Sequence, residues 1–287
     1  MHAIVPDIHG DFIDGGKFNE QVITDVRNMV ANGSAHAIMG NHELNAILFN
    51  ESNQERTGWL RNRSDDNRRQ HGTFIAEYGC MGELATDSPE EHRLIDVLDW
   101  FRSLPLFLEF NDFRVVHAQW DAASIALISE LDAFSINNSI KGARLRKADY
   151  ESVADIQSVI GAAVERSLKG TEAALPDGYS FLDHHKKPRK HVRLKWWTTG
   201  TRSYRNLALS VKDPQALPDE LIHGLSELAP YGAAEKPVFF GHYKMPGTPT
   251  IDEAHATCLD FPKTACAYVW HYGDKVTQPH RLKVFDN

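Results

Sequence analysis

Four short apolar runs in this chain each end on a residue type that binds metals. They are VPDIHGD (residues 5–11), IMGNHE (38–43), VVHA (115–118) and FFGHY (239–243). Short apolar runs closed by glycine read as buried strands, and a glycine there lets the backbone turn sharply. In an α/β protein the strand ends and the loops after them form the rim where chemistry collects. Between these runs, periodicity predicts helices. Over residues 17–33, Val22, Ile23, Val26, Met29 and Val30 recur at helical spacing, and Asn32-Gly33 ends the pattern. HELNAILFN, DDNRRQHGTFIAEYG and SPEEHRLIDVLDWFRSL predict further helices, the last with Ser88 as N-cap and Pro89 at the first helical position. HAIVP, AHAIMG, HVRLKWW, VFFGH, HATCLDF and CAYVWHY predict strands, and LFLEFNDFRVVHA a hairpin turning at Asn111-Asp112. Residues 121–175 read as largely helical. The order strand–helix–strand–helix, followed mostly by strands, predicts an α/β core with mixed sheets. The expected organisation is one domain over residues 1–287, with a cap or insertion at about 121–236.

Composition narrows the function. No run of 18 or more apolar residues occurs and no secretory signal is visible at the start, so a membrane role is not expected. Three cysteines, Cys80, Cys258 and Cys266, make no disulfide framework, and a reducing, cytoplasmic setting is expected. The net charge of −8 argues against a dedicated nucleic-acid binder. Fifteen histidines make a metal site worth seeking. Asp7, His9, Asp11, Asn41, His117 and His242 would offer mixed oxygen and nitrogen donors, which suit Mn, Fe, Zn or Co better than Ca or Mg alone. Taken singly, an Asp-x-His is more often a turn, and a strand histidine more often a satisfied core residue. DHHKKPRKHVRLKWW (183–197) mixes basic and aromatic residues and would suit RNA or a nucleotide. It reads equally as a solvated hairpin with Trp196 and Trp197 partly in the core. His184 and His185 read as a metal pair or an exposed turn, and Asp121 as a cleft residue or a helix cap.

DIHG (7–10), GDFIDGG (10–16), GNHE (40–43), VVHA (115–118) and GHY (241–243) occur in this order, with NRRQH at 67–71 and LDWFRSLPLFLEFNDFRVVHAQWD at 98–121. Together they resemble the calcineurin-like metallophosphoesterase superfamily, near its phosphoprotein-phosphatase branch and its bacterial members. The resemblance implies two mixed β-sheets packed face to face with flanking helices, an α/β/β/α sandwich, and two divalent ions at one edge. Manganese is the first expectation, with Fe, Zn, Co or Ni as alternatives. By the same resemblance Asp7 and His9 hold the first metal, Asp11 bridges both, and Asn41, His117 and His242 hold the second. A metal-activated hydroxide would attack phosphorus, His42 would protonate the leaving oxygen, and Asp14 would orient His42. The expected substrate is a phosphate ester, with a protein Ser/Thr phosphatase first. A dinucleoside polyphosphate hydrolase, or a degenerate member that binds a partner or phospho-ligand without turnover, is the alternative.

The pattern departs from the family at two places. DIHG and GDFID share Gly10, whereas in the family they end neighbouring parallel strands, and parallel strands need a crossover of about a dozen residues. Either a segment is missing between Gly10 and Asp11, which the intact flanking motifs favour, or the chain is short here. In a continuous strand Asp7 and Asp11 would stand about 13 Å apart, so a short chain requires a sharp bend at Gly10. The second departure is Gly15, where the family carries a phosphate-binding Arg. Arg68 or Arg69 would be the stand-in, and Lys244 would face phosphate.

Overall fold

The computed structural model describes residues 2–4 (backbone), 10–183, 186–222 and 231–285. Asp7, His9, His184 and His185 lie outside the described residues. The fold is mixed α/β. In chain order its elements are β1 (His2–Ile4), α1 (Asn19–Ala31), α2 (Asn41–Asn50), α3 (Asp65–Gln70), α4 (Gly72–Tyr78), α5 (Pro89–Ser103), β2 (Phe107–Glu109), β3 (Arg114–Val116) and α6 (Ala122–Asp132). There follow β4 (Ala133–Ile136), β5 (Ile140–Ala143), α7 (Tyr150–Ala154), α8 (Val159–Lys169), β6 (Glu172–Ala174), β7 (Phe181–Leu182), β8 (Pro188–Arg189) and β9 (His191–Leu194). The last are α9 (Tyr204–Leu207), β10 (Ala208–Leu209), β11 (Val238–Phe240), β12 (Ala256–Cys258), β13 (Cys266–Trp270) and β14 (Leu282–Val284). The chain divides into two compact units. One holds Pro6–Asn111 and Val115–Leu168, the other Met1–Val5, Asp112–Arg114 and Lys169–Asn287. Residues 121–236, the expected cap, are shared between them.

In the first of these units, local chemistry sets the helix ends. Ser88 accepts the backbone N–H of Glu91 and starts α5 with Pro89 at its first position. Asp121 accepts the N–H of Ser124 and caps α6. Helix α2 is buried along nearly its whole length, with only His42 half-exposed. Strands β2, β5 and β4 form an antiparallel run, Phe107 facing Ala143 and Ala133 facing the same residue from the other side.

Three expectations are corrected here. Residues 35–40, predicted as a strand, are not in a β-ladder; Ile38 and Met39 are buried, and Met39 donates to the carbonyl of Pro105 at 2.8 Å. Burial therefore accounts for their apolar character, and their backbone runs straight into the α2 N-terminus. Residues 121–175, predicted as largely helical, contain the β4–β5 hairpin. Asn137 and Asn138 turn it with φ of 51° and 58°, a conformation that asparagine tolerates best after glycine. On α1 the apolar stripe is only partly internal: Ile23 is buried, while Val22 and Met29 are exposed.

The second unit carries antiparallel sheets β1–β13–β14 and β6–β9–β10, the parallel pair β11–β12 and the short hairpin β7–β8. Its core is aromatic. Trp197 lies 4.7 Å from Phe240 and 5.0 Å from Tyr243, centroid to centroid, and Trp196 packs on Phe240. Both tryptophans are buried, whereas Pro188 and Arg189 of the basic turn are exposed. Cys80, Cys258 and Cys266 are buried free thiols. Among the described residues no helix is long and apolar enough to cross a membrane.

Candidate active site

The site in the first unit begins with two glycines. Gly10 has φ +89° and Asp11 φ +66°, two successive left-handed residues that break any strand and supply the sharp bend a short chain requires. A Cβ on Gly10 would lie 2.1 Å from the nitrogen of Gly40, and one on Gly40 would lie 2.4 Å from the nitrogen of Asp11. Only paired glycines let the 10–12 loop rest directly on the N-terminus of α2.

Glu43 then ties the loop down. Its Oε2 accepts the N–H groups of Asp11 (2.8 Å) and Gly40 (2.9 Å), and its Oε1 accepts that of Phe12 (2.8 Å). The side chain is fully buried. Burial, with help from the Asp11 charge, pushes its carboxyl up to about 7, against the pull of the backbone donors and His42.

The bend delivers Asp11 to the expected ligands. Its Oδ1 accepts the N–H of His42 at 3.2 Å and stands 3.5 Å from Nε2 of His117, just past the end of β3. The same Nε2 lies 3.0 Å from Oδ1 of Asn41, the first residue of α2. A carboxylate oxygen, an amide oxygen and an imidazole nitrogen thus converge. His117 and Asn41 are buried, and Asp11 is partly exposed. This donor set fits a divalent transition metal. His242 follows β11 in the second unit, buried and at φ +72°. Lys244 is exposed at φ +49°, its backbone N–H bonded to Asp260.

Beside the donors lies an acid–base pair. Nδ1 of His42 is 2.9 Å from Oδ2 of Asp14, and the His42 side chain is 22% exposed against 2% for Asp14. The same Oδ2 is 2.7 Å from Nδ1 of His71, a buried residue at the joint of α3 and α4 whose ring packs edge-on against Phe49. The Asp14 N–H bonds to Asn19, whose own amide bonds to Glu77, so α1 and α4 fix the loop. Burial alone would raise Asp14, but the hydrogen bonds from His42 and His71 outweigh it and its carboxyl is lowered. Burial would lower His42, but the bond to Asp14 and the charges of Asp11, Asp14 and Glu43 outweigh it and the imidazole is raised. With Nδ1 engaged, Nε2 is left to serve a substrate.

The cations expected near phosphate are engaged on the surface. Arg68 pairs with Glu83 and Arg69 with Asp66. Two contributors were not singled out from sequence. Glu43 carried a local signal, an acid three residues after a helix cap. His71 closes the NRRQH stretch, but nothing local gave it a role, because its partner is 57 residues away.

Residues 8–123 match the family model described as calcineurin-like phosphoesterase. The matched stretch is similar to that family's domain, and it contains Asp11, Asp14, Asn41, His42 and His117. No curated protein matches the chain. Domain and donor set together support a metal-dependent phosphoesterase.

Proposed function

We propose that this protein is a cytoplasmic hydrolase of phosphate monoesters, of protein Ser/Thr phosphatase type, working with two divalent ions of which manganese is the first candidate. Asp7, His9, Asp11, Asn41 and His117 would hold them. The observation that carries the reading is the accessible His42, backed by buried Asp14 at 2.9 Å and adjoining the Asp11, Asn41 and His117 donors. Bound metal supplies Lewis acidity and a water of lowered pKa. The chain's own residues do the rest. Asp14 holds the imidazole oriented and protonated, and His42 delivers that proton from Nε2 to the departing oxygen of the ester. Glu43 and the two glycines hold Asp11 and His42 in one register.

The competing reading is phospho-ligand binding without turnover. It draws on Gly15 and on the surface pairing of Arg68 and Arg69. Release of inorganic phosphate from a phosphoserine peptide, and of nucleoside phosphates from a dinucleoside tetraphosphate, with Mn²⁺ and with chelator, separates the readings. Metal-dependent release from the peptide is expected. Release from the dinucleotide alone would change the substrate class, and binding of both without release would establish the non-catalytic reading.

A further inference from the structure

Arg61 lies between α2 and α3 with its Nε buried. Its backbone N–H bonds to the carbonyl of Leu48 on α2. Its Nη2 donates to Oδ1 of Asn67 at 3.0 Å and to Oε1 of Gln70 at 2.9 Å. Both acceptors are neutral amides. Other half-buried guanidiniums of this unit pair with carboxylates: Arg63 with Glu83, Arg102 with Glu51 and Arg166 with Asp121. Arg61 makes no such pair among the described residues. A partly buried cation hydrogen-bonded only to neutral partners has its desolvation cost only partly offset, and an anionic ligand would add the opposing charge.

Its mounting points at the site. Asn67 and His71 are four residues apart, one turn along the same helical face. Asn67 holds Arg61, while His71 holds Asp14, which in turn holds His42. Burial lowers the Arg61 guanidinium, and the charges of Glu165 and Asp14 act on it in the opposite sense, with no hydrogen bond to either.

We propose that Arg61, pre-oriented by Asn67 and Gln70, is the cation that receives a non-bridging oxygen of the phosphoryl group through Nη1, a role that neither Gly15 nor the paired Arg68 and Arg69 fill. The assignment rests on the phosphoesterase reading. With Nη2 taken by Asn67 and Gln70 and Nε buried, Nη1 is the nitrogen left to donate to a phosphoryl oxygen.

The test uses the full chain as wild type, Arg61→Gln and Arg61→Lys. Inorganic phosphate binding is measured by titration calorimetry with Mn²⁺ present, and Mn²⁺ binding is measured alone. The expected result is phosphate affinity lowered at least tenfold in Arg61→Gln and severalfold in Arg61→Lys, with Mn²⁺ affinity unchanged. On p-nitrophenyl phosphate, KM should rise more than kcat falls. Should Arg61→Gln fail to fold, Arg61→Lys alone decides, since it keeps the charge and loses the fork. Phosphate affinity within twofold of wild type in the folded variant would overturn the assignment. Because phosphate binding is read directly, a wild type that binds phosphate but does not hydrolyse ester would refute the activity and leave the Arg61 result standing.

Discussion

Glu43 is the residue whose loss should be most informative about how the site is built. Three buried or part-buried backbone donors, those of Asp11, Phe12 and Gly40, end on its two oxygens. Glu43→Gln keeps the volume and retains one acceptor oxygen. Placed where Oε2 now lies, the amide oxygen can still take Asp11 and Gly40, but its NH₂ then faces the N–H of Phe12. The Phe12 N–H and the amide's own NH₂ are then both buried without an acceptor, each costing about 1–3 kcal/mol. Glu43→Ala strands all three donors, and the same reasoning gives about 3–9 kcal/mol, a large part of a typical domain's total stability. The removal of a buried carboxyl whose pKa burial has raised to about 7 offsets part of this cost near neutral pH, and offsets it equally in both variants. The assay is urea denaturation of wild type and both variants, with Mn²⁺ titration of each that folds. The expected order of stability is wild type, Gln, then Ala, with Mn²⁺ affinity falling in the same order as Asp11 loses its tether. A Glu43→Ala protein as stable as wild type, with unchanged Mn²⁺ affinity, would refute the role given to these hydrogen bonds.

Other outcomes follow from the same geometry. Gly10→Ala must place a Cβ 2.1 Å from the Gly40 nitrogen at φ +89°, so it should abolish Mn²⁺ binding or solubility; a variant with wild-type Mn²⁺ affinity would contradict the close approach. Asp14→Asn removes the charge that helps raise His42. The active imidazolium should then be lost at lower pH, and the alkaline limb of the kcat profile should shift towards acid. A limb that stays in place would argue against His42 as the proton donor. His71→Ala removes a buried bond to Asp14 without touching a ligand, and kcat should fall while Mn²⁺ affinity holds; an unchanged kcat would make His71 a packing residue only. Chelation should abolish turnover and added Mn²⁺ restore it, checked by assay before and after dialysis.

Sequence made some of this legible and left the rest hidden for physical reasons. The start of α5 could be read because Ser88 and Pro89 act on their own backbone within one turn. The β4–β5 hairpin could not, because short runs such as AFSI and IKGA carry too few residues for a period of two to stand out from a helical one. The predicted strand at 35–40 had the right apolar composition, yet a ladder needs a partner strand, and composition cannot show one. In the site, Asp14 and His42 were paired through their motifs, and their side chains stand 2.9 Å apart. His71 and Glu43 do their work through contacts 57, 32 and 31 residues distant as well as locally, which no window of sequence displays. The bend at Gly10–Asp11 was stated only as what a short chain would require. The φ values of +89° and +66° show how the chain meets that requirement.

The most direct test of the central claim compares wild type with His42→Ala on phenyl phosphate and p-nitrophenyl phosphate, with Mn²⁺ saturating. Phenolate is the poorer leaving group and depends more on a donated proton. The account predicts a loss in kcat of about 10²–10⁴ on phenyl phosphate and a clearly smaller loss on p-nitrophenyl phosphate. Equal rates for the two proteins on phenyl phosphate would contradict it.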